Sequence, residues 1–326
     1  MRLERCAERI QKGDKQLGLY DDAGVASDRL GNHLDAVAWM EKKKALLPSL
    51  ERSSNEQRDH WYRYYANCGT FWAHEWFSKG HKWEQVGQLR KAIAMITKAI
   101  EINPNAHFGR EFAQLAVLQW AEEVSNPATK EHLALGDFMG ARNPEANKKK
   151  MVTGLAGLVR LGAGWESVDL FTALCTVQAE SENSIAQLAK DRAMELILAG
   201  KKSLDPNVKD QQKMLEDDSS LIMLHEPSKG FVKYEFERLR HQAEAWHNRR
   251  TAFMMERLNA GRHPDWDTSF WDGWDDGPPL EVRDQFQSLN SLRTMWTWLG
   301  GLAVAGLIVG FVLIRHFRAR PQVAKV

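Results

Sequence analysis

The 326-residue chain is poor in cysteine, in net charge and in strand signals, and each shortage removes a class of protein. Its three cysteines, Cys6, Cys68 and Cys175, lie far apart and never form a CxxC pair. An odd, scattered set builds neither a disulfide framework nor a thiolate zinc site, so these are expected to be small buried residues. Lys+Arg (44) and Asp+Glu (43) nearly cancel, which leaves no global field for nucleic acid. Alternating β-branched runs bounded by turn dipeptides are missing, so no sheet is expected. The first residues, MRLERCAERIQKGDKQ, are charged and carry no apolar signal-peptide core.

Catalytic signatures are missing as well. No HExxH, GxSxG, Walker A or kinase motif occurs. His74 and His81 could share a helix face, but no third ligand is evident. Gly162-Ala163-Gly164 lacks the third glycine of a dinucleotide fingerprint and reads as a turn between helices. The expectation is a non-enzyme without catalytic residue, cofactor or metal.

What the chain does have is helical texture. In LRKAIAMITKAIEINPNAHFGRE, residues Ala92, Met95, Ile96, Ala99 and Ile102 recur at spacings of three and four, the stripe of an amphipathic helix, and Pro104 stops it. In LGNHLDAVAWMEKKKALLP, Ala36, Val37, Met40 and Leu47 line one side, Gly31 and Asn32 mark the preceding turn, and Pro48 closes the run.

This order of helix, small-residue turn, helix and proline resembles the tetratricopeptide repeat family, whose signature is W-x2-L-G-x2-Y…A-x3-F…P. Tyr20, Ala23, Gly24 and Ser27 fill the first-helix slots of one unit, followed by Ala36, Met40 and Pro48. Tyr65, Cys68, Gly69 and Trp72 fill those of a second, followed by Ala92, Ile96 and Pro104. The second unit departs from the pattern. Gly69 and Ala92 are 23 positions apart where Gly24 and Ala36 are 12, so helices are longer or a loop is inserted around FSKGHKWEQ. The resemblance is fair over residues 17–124, weak over 150–209 and absent beyond. It implies an all-α superhelix of stacked antiparallel hairpins with a concave groove, the alternative being an irregular helical bundle.

The remaining organisation follows from composition. Residues 1–125 hold the repeat-like helices and 126–209 further, degenerate hairpins, opening with a break at 126–150 that has two Asn-Pro steps. Lys148–Lys150 reads as a solvated helix start. Residues 210–260 hold a polar connection and a long helix from Phe231 to Asn259, ended by Gly261. Its Phe236, Leu239, Ala243, Trp246 and Arg250 side is a candidate cap for the array. Residues 261–293 form an acidic, Trp-rich stretch containing HPDWDTSFWDGWDDGPP. Asp265, Asp267 and Asp276 outline a calcium loop, but Phe270 stands where a tight-turning glycine is needed. The segment reads as a linker, as a self-ligand folding back on the helical array, or as a tryptophan platform for sugars.

From Met295 to Ile314 there are twenty residues without a charge. In a helix that run spans roughly 30 Å, the hydrocarbon thickness. Trp296 and Trp298 sit at one edge and Arg315, Arg318 and Arg320 at the other, as in a membrane helix. Residues 294–314 are therefore expected to cross a bilayer once, followed by a short basic tail at 315–326. Gly301, Ala305, Gly306 and Gly310 form small-residue pairs that could pack two copies as a homodimer. Orientation draws opposing signals. Basic residues favour a cytoplasmic tail, while the charged N-terminus favours a cytoplasmic helical domain. The domain is placed in the cytoplasm, with the exported side as the alternative.

The function implied by the resemblance is a membrane-anchored adaptor or scaffold that captures a peptide or protein partner. Tyr65, Trp72, His107 and Arg110 are the candidate groove residues, since exposed aromatics and arginine anchor interfaces. Two other readings stay open: an accessory subunit or cryptic enzyme with its site in 126–260, and a structural oligomeric membrane protein.

Overall fold

The computed structural model describes residues 2–142, 148–178, 183–205 and 226–278. The expected membrane helix at 294–314, with Gly301, Ala305, Gly306 and Gly310, and the basic tail lie outside the described residues. Among those described, no helix is long and apolar enough to cross a membrane.

The described residues are all-α and contain no strand. The chain divides into two compact units, Met1–Leu224 and His225–Val326. The first holds α1 (Arg2–Gln11), α2 (Leu17–Arg29), α3 (His33–Lys44), α4 (Asn55–Ser78), α5 (Val86–Ile102), α6 (Arg110–Ser125), α7 (Leu135–Arg142), α8 (Lys148–Leu161), α9 (Val168–Gln178) and α10 (Asn183–Leu198). From α1 to α6 each helix packs on the next, so neighbours in sequence are neighbours in space.

Local chemistry explains the boundaries. Ser54 and Gln57 form a reciprocal capping box that starts α4, the Ser54 hydroxyl accepting from Gln57 N–H and the Gln57 side chain accepting from Ser54 N–H. Gly31, Gly80 and Gly200 adopt left-handed φ of 82°, 83° and 84° just past α2, α4 and α10, the turn that glycine makes without a Cβ penalty.

The two expected hairpins form, and they are built alike. A Cβ on Gly24 would lie 3.4 Å from the Ala36 carbonyl oxygen and 2.9 Å from Met40 Cε. A Cβ on Gly69 would lie 3.2 Å from the Ala92 carbonyl oxygen and 2.6 Å from Ile96 Cδ1. In both pairs the glycine lets the first helix press against the backbone of the second at its alanine and takes the larger residue one turn on. The longer spacing in the second pair has two sources. Helix α4 continues nine residues past Gly69 to Ser78, and a 3-10 turn at Trp83–Gln85 precedes α5. All three cysteines are buried and none forms a disulfide. Burial pushes the Cys68 thiol up to about 12, which makes it inert.

The break expected at 126–150 contains a helix, α7, whose Leu135, Phe138 and Met139 are buried in the main core. Gly136 and Gly140 depress its intrinsic helicity, which hides it from periodicity. Packing repays that cost. A Cβ on Gly136 would lie 3.0 Å from Thr176 Cβ and 3.4 Å from Ala173 Cα, so the glycine permits a close crossing with α9.

The second unit holds the long helix α11 (Glu226–Asn259), ended by Gly261 at φ +75°. The Trp-Asp segment folds back on this helix through a succession of turns. Trp271 stacks on Phe253 with ring centroids 6.1 Å apart, and Trp274 meets Trp246 at 6.4 Å. Arg250 lies over both Trp246 and Trp271 at 5.2 and 4.7 Å, and Arg249 faces Trp274 at 5.9 Å. Arg257 donates to the carbonyls of Ser269 and Asp272. Residues 246, 249, 250, 253 and 257 recur at helical spacing, so a face with few aliphatic residues is covered by cation–π contacts. Phe270, the residue that spoils the calcium loop, is fully buried. Trp246 and Arg250, read from sequence as part of a cap for the array, are thus engaged by the segment that follows their own helix.

Candidate functional site

Of the four candidate groove residues, the structure joins two. His107 and Arg110 meet at Glu111, and Tyr62 of α4 completes the group. Pro104 ends α5 and a 3-10 turn at Ala106–Gly109 leads into α6. Within that turn His107 and Phe108 both take left-handed φ, 44° and 62°. Non-glycine residues pay roughly 1–2 kcal/mol each for that geometry, and the surrounding contacts hold it.

Those contacts converge on one oxygen. Glu111 Oε1 accepts from Tyr62 Oη at 2.8 Å and Arg110 Nη2 at 2.8 Å, and lies 2.9 Å from His107 Nδ1. Tyr62 Oη is also 2.7 Å from His107 Nδ1. Because the phenol has one proton and gives it to Glu111, its oxygen accepts from His107, which fixes the proton on Nδ1. Glu111 is 2 % exposed. Burial pushes its carboxyl up, but the His107 hydrogen bond, the Arg110 charge and the Tyr62 hydroxyl outweigh it and hold it below the ordinary 4.5. Burial, then the Glu111 charge, drives the Tyr62 phenol upward, so it stays protonated. Glu111 Oε2 and Arg110 Nε are buried without a protein partner. Helix α8 closes on this region through glycines: a Cβ on Gly154 would lie 3.2 Å from the Gly109 carbonyl oxygen, and one on Gly157 would lie 3.3 Å from Arg110 Cβ.

The result is a rigid turn that presents Phe108, 74 % exposed, and Phe112, 48 % exposed, one helical turn further on. Tyr65 and Trp72 lie elsewhere on α4. Tyr65 stacks on Trp61 at 5.8 Å and packs against the cluster of Tyr62, Ala66 and Ala99. Trp72 packs against both main cores and receives Lys91 Nζ of α5 at 4.2 Å from its ring. Both are half-buried packing residues of α4, whereas Tyr62 and Glu111 were not anticipated. Glu111 carries no motif, and only the fold brings Tyr62 to it from 49 positions away.

A second polar cluster lies at the other end of α4. His74 was paired in sequence with His81, but α4 ends at Ser78 and His81 turns away at φ 46° to meet Trp76 edge-on. His74 instead points Nδ1 at Asp28 Oδ2 at 2.9 Å, and His33 Nδ1 reaches Asp28 Oδ1 at 2.7 Å. Burial raises the Asp28 carboxyl, yet the His74 and His33 contacts bring it below its ordinary value. These three are the residues able to hold a metal ion among those described.

No family model, curated protein or solved structure matches this chain.

A further network occurs among the described residues of 126–205. His132 Nε2 meets Asp205 Oδ1 at 2.6 Å, Asp205 N–H donates to Ser203 Oγ, and Ser203 donates to Asp169. Burial raises the Asp169 carboxyl. The Ser203 proton is given to Asp169 rather than to His132, so the set ties the 203–205 loop down and does not prime a nucleophile.

Proposed function

We propose that this chain is a membrane-anchored adaptor in which tetratricopeptide-like hairpins capture a peptide or protein partner. The supporting observation is the repeated glycine–alanine contact, Gly24 on Ala36 and Gly69 on Ala92, each with a large residue one turn further on. Equivalent hairpins in series leave an extended face that a single hairpin cannot close, and such faces serve recognition. The strained His107–Phe108 turn holds an aromatic in solvent on rigid backbone, as an interface anchor requires. Anchoring rests on the uncharged run Met295–Ile314, bounded by tryptophans and arginines. The rival readings, an enzyme site in 126–260 and a structural oligomer, gain no comparable observation.

A photo-crosslinking residue placed at 108 in the full chain, in native membranes, tests capture. A discrete adduct is expected at 108 and not at the exposed control Lys201, and it should disappear in Arg110→Glu. Equal labelling at both positions overturns the reading. Release of the chain from membranes by alkaline extraction overturns the anchor.

A further inference from the structure

We propose that Asp28, His33 and His74 bind one transition-metal dication of the zinc type. The three side chains come from three helices: Asp28 from the last turn of α2, His33 from the first residue of α3, and His74 from α4. Each offers one ligand atom, and these atoms all lie within 4.8 Å of one another. Both imidazoles turn the same ring atom, Nδ1, to the same carboxylate, and their rings meet edge-on with centroids 5.7 Å apart. Asp28, His33 and His74 side chains are 7 %, 12 % and 33 % exposed, so the centre is sheltered with one side toward solvent.

The donor set selects the class of ion. Two imidazoles and one carboxylate suit zinc, cobalt, nickel or copper, whereas magnesium and calcium take oxygen shells. Metal–ligand bonds of about 2.0–2.1 Å place two tetrahedral ligands roughly 3.3 Å apart. From one carboxylate oxygen, Asp28 Oδ1, the Nδ1 atoms of His33 and His74 lie 2.7 and 3.0 Å away, and both separations need open only by a few tenths of an ångström. Without an ion, each imidazole donates its Nδ1 proton to Asp28. With one, each ring carries its proton on Nε2 and turns the Nδ1 lone pair to the metal, so neutral histidines need release no proton. Three protein ligands leave a fourth position for water on the exposed side of His74. The ion would clamp α2, α3 and α4, joining the first hairpin to the second and stiffening the face that the adaptor reading uses.

The experiment is cobalt titration of the full-length protein after chelator treatment. One equivalent of Co2+ is expected to give visible ligand-field bands of a four-coordinate N,O site, displaced by Zn2+. His33→Gln, His74→Gln and Asp28→Asn should each weaken uptake by at least about 100-fold, while His81→Gln should not. Circular dichroism checks that each variant folds. On the unaltered protein, proton NMR of the cobalt form should show two exchangeable, hyperfine-shifted imidazole N–H signals, so the test survives any variant that does not fold. No Co2+ uptake at saturating excess overturns the proposal, as does uptake that persists in all three variants, because Asp28 is then only a hydrogen-bond acceptor. The adaptor reading is judged separately, by crosslinking at position 108.

Discussion

Lys43 gives the sharpest energetic prediction. Its side chain is fully buried between α2, α3 and α4, with Nζ donating to Asp21 Oδ1 at 2.7 Å and Oδ2 at 2.6 Å. Asn67 Nδ2 adds a third donor to Asp21 Oδ1 at 3.1 Å. Desolvation is the dominant influence on both ions: it lowers Lys43 from 10.5 and raises Asp21 from 3.8, against their mutual attraction. The pair therefore costs more to bury than its attraction returns, yet each ion needs the other. Asp21→Asn removes the charge and turns an amide N–H₂ toward the ammonium. Leaving a buried charge without its partner costs about 3–5 kcal/mol. At roughly 2–4 °C per kcal/mol for a unit of this size, the thermal midpoint should fall by about 6–20 °C. The double change Asp21→Leu with Lys43→Met removes both charges, and its stability should return to within about 1 kcal/mol of the unaltered protein or exceed it. Thermal and urea unfolding of the full chain, followed by circular dichroism, measures both. A loss below about 1 kcal/mol for Asp21→Asn refutes the reasoning, as does a double variant no more stable than the worse single one.

Three more outcomes are expected. Gly69→Ala should destabilise by about 1–3 kcal/mol, because its Cβ would lie 2.6 Å from Ile96 Cδ1, whereas Gly87→Ala in α5, with nothing within 4 Å, should stabilise by a few tenths up to about 1 kcal/mol in the same unfolding assay. Glu111 has a folded pKa below its ordinary 4.5, so its stabilisation is present above 4.5 and is lost as pH falls through the folded value; Glu111→Gln should flatten the acid limb of stability against pH below 4.5. Arg250→Gln removes the cation shared by Trp246 and Trp271, and the 263–277 segment should then be cleaved faster in limited proteolysis at Gly273 and Gly277, with altered tryptophan fluorescence.

The hairpin pairs were legible because their signals are local. Glycine and alanine at fixed offsets, an apolar stripe of period 3.6 and a terminal proline specify two close-packed helices whatever lies around them. Helix α7 was not legible, since Gly136 reads as a breaker until Thr176 is seen against it. Tyr65 and Trp72, singled out because aromatics favour interfaces, are half-buried on α4, Tyr65 against Trp61 and Trp72 under Lys91 of α5. His107 and Arg110 were singled out as candidate groove residues, and the two meet at Glu111. The acceptor that unites them, Glu111, is an ordinary glutamate until burial leaves it needing donors.

The sequence by itself determined the all-α class, the two glycine–alanine contacts and the uncharged run from Met295 to Ile314, because helix periodicity and side-chain size are written residue by residue. Only the tertiary structure decided which polar groups meet. Asp28 with His74, Tyr62 with Glu111, and Lys43 with Asp21 and Asn67 are each brought together across separate helices. Their interaction is set by distance in space and by loss of water, and neither quantity has a periodicity that the chain can display.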